Sequence, residues 1–227
     1  MTQREPIAES NPVRTDGGRR VGAVLLAAGE STRFEAGNKL LADVEGTPIV
    51  RHAAETLTES AVDDVVVVVG YDEDKVRDAL ADLSVDFVQN PDYEDGQSTS
   101  VRVGVEVARE RGWDATVFAL GDMPFVRADS VDALLDADVA GDGSIVAAAF
   151  EGKRGNPVLF DAKHYDALAD VTGDMGGRQL VEEHAESVLV ETDDPGVTRD
   201  IDDEADLSKY TGCAQARRPE TPHVYGG

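Results

Sequence analysis

Residues 24–34 of the chain read VLLAAGESTRF, and residues 38–41 follow with NKLL. The first part is a branched apolar run that ends in small residues, as a buried β-strand does where it enters a loop. Small residues let backbone N–H groups approach the oxygens of a polyanion, and Arg33 and Lys39 add positive charge beside them. The segment therefore predicts a strand followed by a phosphate-binding loop. Because many α/β domains open with a strand and a glycine turn that bind nothing, the loop by itself leaves a purely structural role open.

Apolar runs alternate with amphipathic segments along the rest of the chain. The predicted strands cover residues 21–28, 65–70, 85–89, 116–120, 144–150, 157–160 and 187–190. The predicted helices cover residues 48–58, 74–83, 98–110, 130–137, 162–169 and 176–184. Such alternation is typical of crossover units, so we expect a three-layer α/β/α, Rossmann-like fold with a mostly parallel sheet.

The chain length and its two ends bound the domain organisation. With 227 residues, the chain suits a single domain that buries its own core. Residues 1–19 are polar and interrupted by Pro and Gly, which predicts a disordered leader. Residues 213–227 have the same character and are expected to form a flexible tail. The predicted domain therefore covers residues 20–212.

Composition excludes several classes of function. The chain has 46 acidic and 21 basic residues, giving a net charge of −25, and the acid is spread along its whole length. No basic stripe is available for nucleic acid, so we expect no nucleic-acid partner, and the acidic surface suggests a cytoplasm of high salt. The sequence has neither an apolar run of membrane-spanning length nor a signal-like N-terminus, which predicts a cytoplasmic protein without a membrane partner. A single cysteine excludes an internal disulfide framework.

A second candidate region comes at residues 116–124, TVFALGDMP, where an apolar strand ends at Asp122. In open α/β sheets, ligands collect beyond the carboxyl ends of the strands, so this carboxylate is expected at the ligand edge. A carboxylate is a suitable ligand for Mg²⁺. Two alternatives remain, because Asp122 could instead cap a helix beginning near Asp129 or form a turn with Pro124.

Three strings together resemble one family. Residues 26–34 and 38–41 are similar to its L-A-A-G-x-S-x-R-F…K-L-L signature, residues 121–124 to its Gly-Asp-Met-Pro element, and residues 199–207 (RDIDDEADL) to its late D-I-D-T-P-E-D-L string. This is the MobA-like family of NTP transferases, in the nucleotide-diphospho-sugar transferase superfamily, and within it the molybdenum cofactor cytidylyltransferases. The resemblance covers residues 21–207 and implies a nucleotidyltransferase fold. One departure is the extra spacing at Glu35 and Ala36 before Gly37.

The resemblance also implies roles for particular residues. Arg33 and Lys39 would neutralise the phosphates, and Asp122 would hold the catalytic Mg²⁺ or Mn²⁺, so these three are the expected catalytic residues. The second metal ligand would be Asp202, with Asp200 as the fallback, although an aspartate at a helix start is also an ordinary cap. The expected nucleotide-binding residues are Leu26, Ala27, Ala28, Gly29, Ser31, Arg33, Lys39, Gly96, Ser100 and Asp122.

Recognition of the base and of the acceptor rests on the same resemblance. Residues 90–101 (NPDYEDGQSTSV) look like the segment that binds base and ribose, although a helix cap by Ser98 explains the string equally well. Residues 27–29 (AAG) are those of the cytidylyltransferases, where guanylyltransferases of the family carry Ala-Gly-Gly, which favours CTP. The acceptor would be bound by two pairs of residues. Asn156 and Pro157 belong to a string that resembles the G-H-P-V element, with Asn in place of His, and Asp174 and Arg178 belong to one that resembles G-D-x-G-A-R, with Gly177 in place of Ala. Either string could also be only a turn.

The implied reaction is the transfer of CMP from CTP to the phosphate of a molybdopterin-type acceptor, with release of pyrophosphate. A molybdenum hydroxylase is the expected recipient of the product. Three alternatives stay open: a sugar-phosphate or alcohol-phosphate nucleotidyltransferase, a guanylyltransferase, and a non-catalytic nucleotide-binding partner of molybdenum enzymes. A dinucleotide-binding oxidoreductase is disfavoured because no G-x-G-x-x-G follows the first strand.

Overall fold

The structure, a computed structural model, describes residues 18–31, 34, 37–173 and 177–215. The expected roles of Arg33 and Asp174 and most of the predicted leader and tail lie outside these residues. At the start of the described chain, Arg19 is already ion-paired with Asp138 and Asp161, and the last helix continues to Gln215, three residues into the segment expected as a tail.

A seven-stranded sheet forms the centre of the molecule. Its strands are β1 (Val21–Ala27), β4 (Asp64–Val69), β5 (Asp86–Gln89), β6 (Ala115–Leu120), β7 (Ile145–Phe150), β8 (Lys153–Asp161) and β9 (Ser187–Glu191), while β2 (Asp43–Val44) and β3 (Thr47–Pro48) form a small separate hairpin. The strand order is β5-β4-β1-β6-β8-β7-β9, and β8 alone runs antiparallel to its neighbours in this sheet. The expected α/β class with a mostly parallel sheet is therefore confirmed.

Seven α-helices connect or flank these strands in the described residues. They are α1 (Ile49–Glu59), α2 (Glu73–Ala79), α3 (Gln97–Arg111), α4 (Ala128–Ala140), α5 (Tyr165–Ala169), α6 (Arg178–Glu183) and α7 (Glu204–Gln215). Short 3₁₀ turns occur at Lys39–Leu41, Tyr93–Asp95, Ala162–His164 and Pro195–Thr198. Within these ranges no helix has the length and apolar character needed to cross a membrane.

The largest differences from the predicted elements are in β8 and α7. Strand β8 begins four residues earlier than the predicted 157, because a two-residue turn at Glu151 and Gly152, both with positive φ, pairs Lys153 directly with Phe150. Such turns suit the twist of a β-hairpin. The polar residues at the start of this strand hide it from a hydrophobicity pattern. Helix α7 was not among the predicted helices, because its sequence has little helical amphipathicity.

Two apolar layers, one on each face of the sheet, form the core. Val21, Ala23, Leu25 and Ala27 pack on the face that carries α1 and α4, whereas Val24 packs on the face that carries α3 and α5. Since β1 is buried on both faces, its continuous apolar sequence is what its position requires. The central position of β1 between β4 and β6 also brings the loops after β1 and β6 to the same edge. Gly121 N–H donates to the Leu26 carbonyl there at 2.9 Å, which fixes one loop against the other.

Candidate active site

A cleft of about 430 Å³ lies at the carboxyl edge of β1 and β6, within the size range of small-molecule sites. Residues expected to bind nucleotide or metal make up much of its lining: Leu26, Ala28, Gly29, Ser31, Lys39, Gly96, Ser100, Asp122 and Asp202. The lining also includes residues that were not among the individually expected site residues: Glu30, Leu40, Tyr93, Glu94, Gln97 and Leu120. Ala27 is placed differently, because its side chain is buried in the core below the loop.

The described part of the loop after β1 is held by its own polar groups. The Ser31 hydroxyl accepts a hydrogen bond from the Lys39 backbone N–H at 3.1 Å and donates to Asn38 Oδ1 at 3.3 Å. Asn38 is buried and caps the 3₁₀ turn at Lys39–Leu41 by accepting from the Leu40 N–H. Gly29 is exposed, and a Cβ there would meet no atom within 4 Å, so packing does not require this glycine. An open backbone at that point is what a ligand with phosphate groups would need.

Lys39 joins two carboxylates that are far apart in the sequence. Its Nζ donates to Asp122 Oδ2 at 2.8 Å and to Asp202 Oδ1 at 3.2 Å. Burial by itself would lower the pKa of Lys39, but the charges and hydrogen bonds of Asp122 and Asp202 together raise it above the usual lysine value. The amine is therefore a fixed positive charge at ordinary pH. The second oxygen of Asp122, Oδ1, is buried and has no hydrogen-bond partner among the described residues.

The aspartates of the late string have different surroundings. Asp203 caps α7 by accepting from the backbone N–H groups of Ala205 and Asp206, so the helix start does not depend on Asp202 for its cap. Asp200 is exposed and does not line the cleft. Partial desolvation of the carboxyl group nevertheless raises the pKa of Asp200, and the negative charges of Asp202 and Asp122 raise it further. The geometry thus places Asp202, rather than Asp200, beside Asp122 and Lys39.

Asp122 has no capping role. Helix α4 begins at Ala128 after Arg127, and no side chain caps it. The turn alternative is closer to the observed structure, since residues 121 and 122 do form a turn after β6. The carboxylate nevertheless points at Lys39, which the turn does not require.

Segment 194–202, which carries Asp202, is anchored to the domain at three points. The buried Asp194 accepts from the Arg127 N–H at 2.9 Å and from the Ser130 hydroxyl at 2.8 Å. A Cβ at Gly155 of β8 would lie 2.0 Å from the Val197 carbonyl oxygen, so only glycine allows this approach. The Ile201 N–H donates to the Asp122 carbonyl at 3.0 Å. These contacts fix the position of the segment relative to Asp122.

The residues around Lys39 suit a divalent cation. Two carboxylates from separate segments converge on one positive charge, and the buried Asp122 Oδ1 has no hydrogen-bond partner within the described part of the chain. No cluster of three or more His, Cys, Asp or Glu side chains arranged for a metal occurs in the described ranges. That is compatible with Mg²⁺ or Mn²⁺, because Mg²⁺ is commonly bound by one or two carboxylates and completes its shell with water and substrate phosphates.

Segment 90–101 forms one wall of the cleft. Asn90 is buried and donates to the hydroxyls of Thr99 and Ser100 at 2.8 and 2.9 Å, which ties the end of β5 to the first turn of α3. The alternative of a helix cap by Ser98 is not observed. The capping position is Gly96, with φ of 100°, and no side chain caps α3. A Cβ at Gly70 would meet Tyr93 at 2.8 Å and the Ala28 methyl at 2.9 Å, so this part of the wall is closely packed.

A second cavity of about 260 Å³ borders the cleft and shares Leu26, Gln97 and Leu120 with it. Two of the expected acceptor residues, Asn156 and Arg178, line this cavity. Pro157 does not line it, because successive strand residues point to opposite faces of the sheet and Pro157 lies with Ala53 and Leu57. The same alternation places Arg154 and Val158 on the face of Asn156.

Several of these residues could not be assigned from sequence patterns. Asn38 and Tyr93 lie inside segments with an expected role. The buried helix cap formed by Asn38 and the position of Tyr93 in the cleft wall, however, correspond to no distinctive spacing in the sequence. Arg154 precedes the predicted strand at residues 157–160, whereas the observed β8 includes it. None of the three histidines within the described residues lines the cleft. His164 and His184 do pack together, 4.5 Å between ring centroids, next to Ser144 at the start of β7.

Known proteins resemble this chain in sequence and in structure. The bifunctional protein GlmU of Symbiobacterium thermophilum is 30% identical over 123 residues, which are 54% of this chain and 26% of that protein. The chain spans about a quarter of the length of the curated relatives that it matches. The crystal structure of Rv0371c from Mycobacterium tuberculosis H37Rv is 25% identical and superposes with a TM-score of 0.74 over 86% of this chain and 98% of that one. A manganese complex of the same mycobacterial protein superposes with a TM-score of 0.71 at 24% identity, over 85% of this chain and 98% of that one.

Residues 23–188 match the family model described as the MobA-like NTP transferase domain. The match begins within β1 and ends within β9. It therefore includes the loop after β1, Asp122, and the wall that the cleft and the second cavity share. The chain belongs to the MobA-like NTP transferase family.

Proposed function

We propose that this protein transfers CMP from CTP to the phosphate of a molybdopterin-type acceptor and releases pyrophosphate. The observation that supports this proposal best is the position of Lys39 between Asp122 and Asp202, next to the loop after β1. The second cavity, which contains Asn156 and Arg178, opens beside this site and offers a place for the acceptor. Family membership supports nucleotidyl transfer, and the molybdopterin acceptor rests on the sequence resemblance.

The reaction needs alignment and charge neutralisation more than covalent chemistry from the protein. An oxygen of the acceptor phosphate attacks the α-phosphorus of CTP, a new P–O bond forms, and the bond to the β-phosphate breaks as pyrophosphate leaves. Because the attacking phosphate is already anionic, no side chain has to remove a proton. The absence of a histidine from the described lining of the cleft is compatible with this chemistry.

Each residue of the cleft would serve one of these needs. The backbone at Gly29 and the loop closed by Ser31 would bind phosphate oxygens, and Lys39 and Arg33 would balance their charge. Asp122 and Asp202 would hold Mg²⁺ or Mn²⁺, which when bound neutralises charge on the phosphate oxygens. Lys39 has a flexible stem, so its amine could exchange carboxylate oxygens for those of a triphosphate.

The choice of CTP rests on Ala28, which lines the cleft. Ala28 carries a methyl group where guanylyltransferases of the family have glycine, and this methyl would narrow the base pocket. A pyrimidine is smaller than a purine and therefore suits a narrower pocket. This argument supports CTP over GTP.

A sugar-1-phosphate nucleotidyltransferase is the second candidate. It is supported by membership of the MobA-like NTP transferase family, which the sequence resemblance places in the nucleotide-diphospho-sugar transferase superfamily. Both candidates use the same cleft and the same metal ligands, so they differ only in what occupies the second cavity. Transfer of the product to a molybdenum hydroxylase is part of the first candidate alone.

Pyrophosphate release in molar KCl with Mg²⁺ distinguishes these possibilities. CTP, GTP, ATP and UTP are each assayed alone, with molybdopterin and with N-acetylglucosamine 1-phosphate. We expect release from CTP when molybdopterin is present. Release with the sugar phosphate instead would establish the second candidate, and no release from any combination by folded protein would contradict both. Asp129→Asn, an exposed carboxylate on α4, is the matched control for variants of Asp122.

A further inference from the structure

Arg154 is a cation in the second cavity that none of the expected roles includes. Its side chain is 25% exposed, and its nearest charged partner among the described residues is Glu182, at 3.9 Å. Burial lowers the pKa of Arg154, and the neighbouring charge of Arg178 lowers it further. The guanidinium nevertheless remains charged. Arg154 is therefore a cation that is partly removed from water and has no carboxylate at close hydrogen-bonding distance among the described residues.

The charges around Arg154 are not balanced. Glu182 also accepts a hydrogen bond from Arg178 Nε at 2.7 Å, so a single carboxylate serves two guanidiniums. Glu182 and Arg178 are about half exposed, which leaves their contact open to exchange with a ligand. In a chain with a net charge of −25, a local excess of positive charge facing a cavity is unusual.

Apart from the arginines, Gln97 and Asn156, the lining of the second cavity is apolar. Phe118 and Phe160 meet edge to face, with 6.0 Å between ring centroids, and Val158, Leu168 and Val181 complete the floor. A Cβ at Gly177 would lie 2.8 Å from the Phe160 ring. The glycine at this position, where the resembled string has alanine, therefore lets the start of α6 approach the floor.

We propose that Arg154 and Arg178 together bind the anionic group of an acceptor whose ring or other apolar body lies on the Phe118–Phe160 floor. Without ligand, Glu182 pairs with both guanidinium groups, and the anionic group of the acceptor replaces it on binding. Because a neutral acceptor cannot replace Glu182, Arg154 favours anionic acceptors. This proposal rests on the proposed function for its assignment of the cavity to the acceptor. Helix α6 has only six residues, so the arginines, rather than its N-terminal amides, supply the positive charge.

The proposal is tested by calorimetric titration with phenyl phosphate, which carries a dianion on an aromatic ring. CTP and Mg²⁺ are kept at saturation so that the cleft is filled, and benzyl alcohol serves as the neutral counterpart. The variants are Arg154→Gln, Arg154→Lys and Glu182→Gln. Arg109→Gln is the matched control, because Arg109 pairs with Asp166 on the surface of α3 and lines neither cavity.

We expect phenyl phosphate to bind the wild type and benzyl alcohol not to bind. Arg154→Gln should weaken binding about tenfold, Arg154→Lys should recover only part of it, and Arg109→Gln should leave it unchanged. Glu182→Gln should tighten binding, since it removes the competing carboxylate. A merely structural role for Glu182 predicts weaker binding instead.

Absence of phenyl phosphate binding to the wild type, or equal affinity in wild type and Arg154→Gln, overturns the proposal. So does a Glu182→Gln variant that binds more weakly. Binding of CTP, measured separately by equilibrium dialysis, reports on the nucleotide site. Failure of CTP to bind would therefore count against the proposed function, while phenyl phosphate titrated without CTP would still decide the role of the arginine pair.

Discussion

The cleft and the second cavity share a wall at Leu26, Gln97 and Leu120. They differ in the ratio of acidic to basic side chains at their centres. In the cleft, Asp122 and Asp202 converge on the single amine of Lys39. In the cavity, Arg154 and Arg178 converge on the single carboxylate of Glu182. The first arrangement therefore attracts a further cation and the second a further anion.

The net charge of the chain would not have suggested this difference. A strongly acidic protein is expected to repel anions at long range, yet both proposed substrates are anions. Salt screens that long-range repulsion, whereas charges in partly buried contacts are screened much less. We therefore expect ligand binding to depend on the number of acidic relative to basic side chains in each pocket. Single substitutions can change this number.

The largest expected effect comes from Asp122→Asn, which removes the excess carboxylate charge of the cleft. We expect metal-dependent pyrophosphate release to fall by about a thousandfold or more, because the amide is a poor ligand and the phosphate charge is no longer neutralised. The fold should persist, since the Asp122 carbonyl still accepts from Ile201. Single-turnover rates and circular dichroism measure the two effects. Activity near that of Asp129→Asn would show that Asp122 does not bind the catalytic metal.

Lys39→Met makes the charge ratio of the cleft more negative. Turnover should fall about a hundredfold, because a charge that stabilises the phosphates is lost. Binding of Mn²⁺ without nucleotide should instead become tighter, since the two carboxylates no longer share a lysine amine. Titration of Mn²⁺ followed by electron paramagnetic resonance measures this. If metal binding weakens together with turnover, Lys39 does not compete with the metal.

Arg178→Glu reverses the charge excess of the cavity. The KM for the acceptor should rise about tenfold, while the KM for CTP stays near the wild-type value, because Arg178 does not line the cleft. Steady-state kinetics with each substrate varied in turn separates the two constants. Equal increases in both would mean that the two pockets are not independent. Arg109→Gln again provides the control.

Gln97→Ala has the smallest expected effect and acts on the shared wall. Because Gln97 lines both pockets, its truncation should raise the KM for CTP and for the acceptor by a similar factor, about twofold to threefold. The same kinetic measurements apply. A change in only one of the two constants would assign Gln97 to one pocket and leave Leu26 and Leu120 as the common boundary.

Most of the fold could be predicted from the sequence because β1, β4 and β6 are buried on both faces and therefore consist of continuous apolar runs. Strand β8 was found only in part, since its first residues are polar and its pairing depends on the turn at Glu151 and Gly152. Helix α7 begins with acidic residues, which often mark a helix start, but acidic residues are so frequent in this chain that they do not distinguish this position from its surroundings. Hydrophobicity patterns detect continuous apolar runs and miss elements whose residues are largely polar or lack a clear period.

The candidate site was predictable where one segment carries the whole signal. Lys39 and Asp122 each follow a recognisable strand, and both line the cleft. The resemblance favoured Asp202 over Asp200 as a metal ligand, and the structure adds that Asp202 accepts a hydrogen bond from Lys39. A cap by Ser98 was an open alternative because serine often has that role, but Gly96 occupies the capping position of α3. Arg154 became a candidate only when β8 placed it opposite Arg178.

The anchoring of segment 194–202 has a consequence for how the protein could lose activity. Asp202 is held at the cleft through Asp194, the close contact between Gly155 and Val197, and the hydrogen bond from Ile201 to Asp122. Detachment of this segment by local unfolding would remove one of the two carboxylates and leave the seven strands paired. Amide hydrogen exchange would then report opening at residues 196–207 with a lower free energy than in β1. The temperature at which catalysis is lost would lie below the temperature at which the sheet melts.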